Sequence, residues 1–193
     1  MNVMRFILVG IFVLMAVAVG LVGYNWYRSA GGEAYGAPFV LVDQKGTEIT
    51  EQAFRGHPTV LFFGFTHCPE VCPTTLAEMD SWLTALGDES RDIRAYFVSI
   101  DPERDDAVTL DRYVSNVSQR ITGITGEPDK VAAMAKAFGI YVKKVPLEDG
   151  DYTMDHTATV LLLDRDGGFF GTIAYGENSD TAIAKLKRLV KEG

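Results

Sequence analysis

Cysteine and histidine are scarce in this chain of 193 residues, which has only two of the first and three of the second. Two cysteines cannot build the multiply bridged scaffold of small secreted domains. The sequence also has no cluster of basic residues, and its 18 Lys and Arg are outnumbered by 26 Asp and Glu, for a net charge of −8. We therefore expect no nucleic-acid partner, because such binding needs a basic face. No segment repeats at a fixed period, which argues against repeat architectures.

One long apolar run stands at the N-terminus. Residues 6–24 carry no charge and no proline, and about 20 such residues can cross a bilayer as a helix. Trp26 and Tyr27 follow as an interfacial aromatic pair, and Arg28 ends the run. A cleaved signal peptide is the alternative, but the run is longer than the usual apolar core of about 7–15 residues and no Ala-x-Ala site follows it. We therefore predict a membrane anchor over residues 1–28; the nearly balanced positive charges do not fix its orientation.

The rest of the chain is long and apolar enough for one domain. Residues 29–36 form a predicted linker, and the globular domain is predicted over 37–193. Strand-like and helix-like patterns alternate along it and end in a hairpin and a helix, which predicts an α/β mixed sheet flanked by helices. The predicted strands are 39–42, 48–49, 60–65, 93–100, 121–125, 159–163 and 169–174. The predicted helices are 73–86, 106–117, 128–138 and 179–191, the last of which is capped by Ser179 or Asp180. Residues 140–145 and 152–154 are predicted to be extended.

The two cysteines lie where a buried strand passes into a helix. The apolar run 60–65 predicts the strand, and Pro73 suits the first turn of the helix that follows. Backbone N–H groups and the dipole at a helix N-terminus favour the thiolate forms of Cys68 and Cys72, which bind metals and attack disulfides. Cα atoms one turn apart are within bridging range. The Cys-x-x-x-Cys spacing is therefore compatible with either a disulfide or a metal clip.

His156, just before the predicted strand 159–163, is the candidate third ligand. If that strand neighbours the cysteine strand, the loop entering it approaches the two thiols. Two thiolates and an imidazole form a soft, low-coordinate donor set that suits Cu(I), and Cu(II) when an oxygen ligand or water is added. Zinc would need a fourth ligand. Asp101, at the carboxyl end of the predicted strand 93–100, and Glu70 are candidate oxygen donors or partners of the ligands.

Ordinary structural roles are open for the same residues. Two cysteines in an exported domain often form a plain disulfide, and a histidine before a strand is often only a hydrogen-bonded loop residue. His67, next to Cys68, is either a spare ligand or an exposed loop residue. Asp101, before Pro102, could simply end its strand with a side-chain turn.

Three motifs in this order resemble the Sco (SenC) family of copper chaperones. They are the run GFTHCPEVCPTTL from Gly64 to Leu76, the run DPERD from Asp101 to Asp105, and the pair Asp155-His156. The resemblance extends from about Pro38 to the C-terminus, and the single N-terminal anchor is also typical of the family. It implies a thioredoxin-like fold, copper ligands at Cys68, Cys72 and His156, and a supporting role near the site for Asp101.

The family resemblance also implies a biological setting. The family helps to assemble the dinuclear copper centre of cytochrome c oxidase, so the implied partner is the copper-receiving subunit of that oxidase. The implied location is a single-pass anchor with the domain outside the bacterial cytoplasm or in the mitochondrial intermembrane space. The short chain without a transit peptide favours the bacterial inner membrane, with the domain in the periplasm. Glu70 departs slightly from the family, which more often has Asp there.

Three functional hypotheses follow. The first is a copper metallochaperone, which is a delivery protein and not an enzyme. The second is a dedicated thiol–disulfide oxidoreductase that keeps the oxidase copper-site cysteines reduced, with Cys68 and Cys72 as its redox pair. Its spacing is one residue longer than that of thioredoxins, and Ala158 stands near the place of their cis-proline. The third is a peroxidase, but the active-site run of peroxiredoxins needs a threonine at the position that Pro69 occupies in this chain.

Overall fold

A computed structural model of the protein describes residues 2–29, 35–148 and 150–193. The chain divides into two compact units, Met1–Glu33 and Ala34–Gly193. The first contains helix α1 (Asn2–Ser29), in which the window Phe6–Gly23 has a mean hydropathy of 2.8 and is long and apolar enough to cross a membrane. The side chains of the predicted interfacial pair, and residues 30–34 of the predicted linker, lie outside the described residues. The anchor and the linker therefore stay predictions.

Seven of the nine strands in the described part of the chain form one mixed sheet. The strands are β1 (Val40–Asp43), β2 (Glu48–Thr50), β3 (Thr59–Gly64), β4 (Arg94–Ser99), β5 (Ile121–Thr125), β6 (Val142–Pro146), β7 (Tyr152–His156), β8 (Thr159–Leu163) and β9 (Phe169–Ala174). The order in the large sheet is β2-β1-β5-β4-β3-β8-β9. Strands β3, β4 and β5 are parallel, whereas the other neighbours are antiparallel. The predicted α/β class is confirmed.

Helices flank this sheet and bury their apolar faces. They are α2 (Val71–Leu86), α3 (Ala107–Val117), α4 (Pro128–Ala137) and α5 (Ser179–Glu192), with short 3-10 helices at Glu51–Phe54 and Gly87–Asp92. Asp106 caps α3 by accepting a hydrogen bond from the backbone of Thr109. The predicted cap of α5 is wrong, because the side chain of Asn178 accepts the first backbone N–H groups instead.

Strand β3 is the centre of the core. All six of its residues are buried, since β4 and β8 cover its two edges and side chains from the flanking elements cover its faces. Burying a phenylalanine side chain contributes about 1.5–3 kcal/mol, and β3 buries Phe62 and Phe63 completely. The uninterrupted apolar run is therefore what a strand covered on both faces requires.

Strands β6 and β7 form a separate antiparallel pair in register from Val142↔His156 to Pro146↔Tyr152. Both segments were predicted as extended, but their pairing was not predicted. The hairpin matters for the site because His156 is the last residue of β7, not a loop residue before β8.

Candidate metal centre

Both cysteines are free thiols and lie close together where the loop after β3 enters α2. Cys72, in the first turn of α2, is fully buried, whereas Cys68, in the loop between β3 and α2, is partly exposed. The backbone N–H of Cys72 lies 3.4 Å from Cys68 Sγ and donates to it. This arrangement holds the two sulfur atoms on the same side of the loop without a disulfide.

Gly64 is the residue that lets the buried sulfur approach the end of β3. A Cβ atom at this position would lie 2.8 Å from Cys72 Sγ and 2.7 Å from Cε2 of Phe97. Real Cβ atoms do not come this close to other heavy atoms in a packed core. The absence of a side chain at Gly64 is therefore part of the construction of the site.

His156 aims its free ring nitrogen at Cys72. Its Nδ1 atom lies 3.0 Å from the carbonyl oxygen of Thr157, and because a carbonyl only accepts, Nδ1 carries the hydrogen. In the neutral ring this leaves a lone pair on Nε2, which lies 3.7 Å from Cys72 Sγ. The aromatic rings of Phe62 and Phe65 make edge contacts with the imidazole at centroid distances of 6.1 and 5.9 Å. A backbone acceptor that fixes one ring nitrogen is the usual support of a histidine ligand.

Strand order explains how a residue 84 positions away reaches the cysteines. Strand β8 pairs with β3, with Val160 opposite Phe62. The segment that enters β8 consequently lies beside the end of β3, where the cysteine loop begins. The condition that the sequence left open, that these two strands be neighbours, is confirmed.

The two thiols share one proton unequally. The pKa of Cys68 is lowered to about 4, first because the Cys72 thiol donates to it, and further by two backbone N–H groups, against the opposing effect of burial. The same hydrogen bond, together with burial, raises the pKa of Cys72. At neutral pH the pair therefore carries one negative charge, located on the more exposed sulfur.

This asymmetry predicts an unusual alkylation profile for Cys68 in the metal-free, reduced protein. An ordinary thiol reacts about tenfold faster per pH unit until its pKa near 8.5. Because Cys68 is already a thiolate, its rate with iodoacetamide should stay nearly flat from about pH 6 to 8. In Cys72→Ala the strongest hydrogen-bond donor is lost, so the pKa of Cys68 should rise and its rate at pH 6 should fall. Peptide mass spectrometry measures both rates; a wild-type rate that climbs steeply with pH would contradict the assignment.

Asp105 is a functional candidate that sequence reasoning missed. Its carboxylate is fully buried and accepts from the backbone N–H of Thr66 (2.9 Å), the Thr66 hydroxyl (2.5 Å) and the Ser99 hydroxyl (2.6 Å). Thr66 lies two residues before Cys68, so this carboxylate fixes the start of the cysteine loop. The available signal was its position in the DPERD run, at the carboxyl end of a core strand.

Asp101 contacts the hairpin that carries His156. Its carboxylate accepts from Arg104 Nε at 2.5 Å and from the Tyr152 hydroxyl at 2.8 Å. Arg104 also donates to the Tyr152 carbonyl at 3.0 Å, and its guanidinium carbon lies 3.7 Å from the Tyr152 ring centroid. Tyr152 is the first residue of β7 and His156 the last, so Asp101 anchors the strand at the end opposite the imidazole.

The other candidates do not join the donor set. His67 is half exposed, and its Nδ1 atom lies 3.1 Å from the Thr66 hydroxyl and 3.8 Å from the Asp105 carboxylate. Glu70 is exposed at the N-cap of α2 and makes no capping hydrogen bond with its side chain. Of the predicted ligands, the structure therefore brings together Cys68, Cys72 and His156.

The donor atoms of Cys68, Cys72 and His156 lie near one another but are not yet arranged around a single point. In the described part of the chain, no group of three or more His, Cys, Asp or Glu side chains is already arranged as a metal-binding cluster. The spacing of 3.7 Å between Cys72 Sγ and His156 Nε2 nevertheless fits one ion. A metal–sulfur bond of about 2.3 Å and a metal–nitrogen bond of about 2.0 Å, at about 120°, span about 3.7 Å. A change of rotamer at Cys68, which lies in the loop, would complete the set of donors around such an ion.

Comparisons with known proteins identify the family of the chain. The SCO1/SenC family model matches residues 28–191. The mitochondrial SCO1 homolog 1 of Arabidopsis thaliana is 35% identical over 153 residues, which are 79% of this chain and 45% of that protein. The chain spans about half the length of the curated relatives it matches.

Solved structures show the same fold. The copper-bound structure of Bradyrhizobium japonicum ScoI has a TM-score of 0.75 and 44% identity, and covers 81% of this chain and 99% of its own. BsSco, described as a member of the Sco family of cytochrome c oxidase assembly proteins, has a TM-score of 0.66 and shares the fold at 24% identity, over 83% of this chain and 96% of its own. On the match that runs through the cysteine loop, the DPERD run and His156, this chain belongs to the SCO1/SenC family.

Proposed function

We propose that this protein is a membrane-anchored copper metallochaperone that binds copper through Cys68, Cys72 and His156 and delivers it to the dinuclear copper site of cytochrome c oxidase. The observation that carries the proposal is the His156 nitrogen, which is fixed by its backbone hydrogen bond and lies 3.7 Å from the buried Cys72 sulfur. A copper-bound relative at 44% identity supports the choice of metal.

The chemistry of the donors suits Cu(I). Thiolates and an imidazole are soft ligands for a low-coordinate ion, and Cys68 already carries negative charge at neutral pH. The rings of Phe62 and Phe65 contact the imidazole and add apolar surroundings to the donor. Cu(II) would require an added oxygen ligand or water. Cys68, the partly exposed donor, is where an acceptor protein would first exchange ligands with the metal.

Two carboxylates position the metal-donor residues through hydrogen bonds to neighbouring residues. Asp105 holds the loop that presents Cys68, through its hydrogen bonds to Thr66. Asp101 holds β7, and with it His156, through Tyr152. Neither acts as a ligand in this proposal; each positions one half of the donor set.

The proposed setting is the bacterial inner membrane. Helix α1 would anchor residues 1–28, residues 29–36 would act as a linker, and the thioredoxin-like domain over 37–193 would lie in the periplasm. The apolar window of α1 and the likeness to a bacterial ScoI support this setting. The partner in this proposal is the copper-receiving subunit of the oxidase, which membership of the SCO1/SenC family implies. The reductase hypothesis is not favoured, because thiol exchange does not need an imidazole lone pair aimed at the buried sulfur.

Copper counting in point variants tests the proposal. The full chain in neutral-detergent micelles is loaded with Cu(I), washed and analysed for metal per chain. The wild type should retain near-stoichiometric copper, whereas Cys72→Ala and His156→Ala should each lose it, because a two-donor site is open to competing ligands. His67→Ala is the matched control and should retain copper. Copper retained in His156→Ala, with ready turnover of a disulfide substrate by the metal-free protein, would instead favour the reductase.

A further inference from the structure

A polar cleft of about 590 Å³ lies at the end of the sheet opposite the cysteines. Arg94, the first residue of β4, and Arg120, which directly precedes β5, line it. Strands β3 and β4 run in parallel, with Arg94 opposite Thr59 at the amino end, whereas the cysteine loop leaves β3 at its other end. A strand of six residues is about 20 Å long. The cleft is therefore separate from the candidate metal centre.

The cleft concentrates positive charge in an acidic chain. Three arginines line it together with one acidic residue, Asp88, while the whole chain has a net charge of −8. Arg91 pairs with Asp88 at 2.7 Å. Within residues 2–29, 35–148 and 150–193, the ion pairs that involve arginine leave Arg94 and Arg120 without a carboxylate partner. Arg94 and Arg120 thus both line the cleft without an ion pair of their own among the described residues.

The other residues that line the cleft contribute hydrogen-bond donors and, at its base, apolar side chains. Gln119 and Thr122 contribute polar side chains, and Arg120 reaches Ser90 Oγ only at 3.5 Å, a distance at the limit of a hydrogen bond. Leu83 and Ile93 are buried beneath. Guanidinium groups present planar forks of N–H donors that match phosphate oxygens in pairs. Two unpaired forks suit a tetrahedral oxyanion, whose several oxygen atoms can be shared between them.

We propose that this cleft is a binding site for a phosphate-bearing anion, with Arg94 and Arg120 as its principal contacts. The phosphate group is the recognised chemistry, and it can belong to a free phosphate or to the headgroup of an anionic phospholipid. The site does not depend on copper binding, because none of its lining residues contributes to the metal centre.

Calorimetric titration of the full chain in neutral-detergent micelles, at constant ionic strength, tests the site. The ligands are inorganic phosphate and glycerophosphoglycerol, the soluble headgroup of phosphatidylglycerol. We expect a Kd of about 1 mM or tighter for at least one of them, weakened at least about tenfold in the double variant Arg94→Gln/Arg120→Gln. Tighter binding of the diester identifies a lipid headgroup as the source, tighter binding of phosphate identifies the free anion, and equal binding means that the phosphate group alone is recognised.

Arg112→Gln is the matched control, because it removes the same charge from an exposed position on α3 outside the cleft. Its affinity for both ligands should equal that of the wild type. The proposal is overturned if the wild type binds neither ligand up to about 10 mM, or if the control weakens binding as much as the double variant. Circular dichroism melts and the copper content of each variant show that the fold and the metal centre are intact, so a failure here leaves the copper proposal standing.

Discussion

Replacing Asp105 by alanine should destabilise the domain by about 3 kcal/mol or more, because each buried donor left unpaired costs about 1–3 kcal/mol. The variant would remove the acceptor of the Thr66 backbone N–H and of the buried Ser99 hydroxyl, whereas the Thr66 hydroxyl keeps His67 Nδ1 at 3.1 Å. For a domain of this size, such a loss lowers the melting temperature by roughly 6–12 °C. Thermal and urea unfolding of the full chain measure it.

Asp111→Ala is the control for the loss of a carboxylate. Asp111 lies on α3, partly exposed, and pairs with Lys45 across the surface, so its removal should leave the unfolding midpoint close to that of the wild type. An Asp105→Ala midpoint equal to that of Asp111→Ala would show that the buried carboxylate does not hold the cysteine loop. Copper content should fall in the Asp105 variant alone, since only that side chain fixes the residues before Cys68.

Replacing Gly64 by alanine should damage both stability and metal binding. The new methyl group would meet Cys72 Sγ at 2.8 Å, Phe97 at 2.7 Å and Phe62 at 3.2 Å, and overpacking of this kind costs about 1–3 kcal/mol. A shift of the sulfur that relieves this contact would change its spacing of 3.7 Å from the His156 nitrogen. We expect Cu(I) affinity, measured by competition with a chromophoric chelator, to fall at least about tenfold.

Gly171→Ala provides the comparison within the same sheet. A Cβ atom at Gly171, in β9, meets nothing within 4 Å, so this variant should bind copper and unfold like the wild type. Wild-type copper affinity in Gly64→Ala would mean that the buried sulfur does not depend on its contact with the end of β3.

The central strands and the cysteines were predictable because their signals are local. An uninterrupted apolar run gives β3, and Pro73, which suits a first helical turn, predicts the start of α2 to within two residues of Val71, where the helix begins. The predicted donor set of Cys68, Cys72 and His156 depended on one non-local fact, the pairing of β8 with β3. Strand order is set by packing across the whole domain, and no pattern within either strand specifies it.

The features that the sequence did not reveal are also non-local. Strands β6 and β7 contain no fully buried residue and lack the alternation that indicates a half-buried hairpin. Asp105 is a charged residue with no exposed surface, which composition alone argues against. Its burial is explained only by Thr66, 39 positions earlier in the chain, and Ser99. Such a carboxylate becomes recognisable as a support only when its donors are located.

The 84 residues between Cys72 and His156 make the donor set a product of completed folding. Bringing the ends of a flexible segment of that length together costs roughly 4 kcal/mol of chain entropy, and the native sheet has met this cost before any metal arrives. A newly synthesised or misfolded chain would offer copper only the bare cysteine pair. Capture of the ion by all three side chains would thus be reserved for molecules in which β8 has docked, so that quality control of the fold and loading of the cargo become the same event.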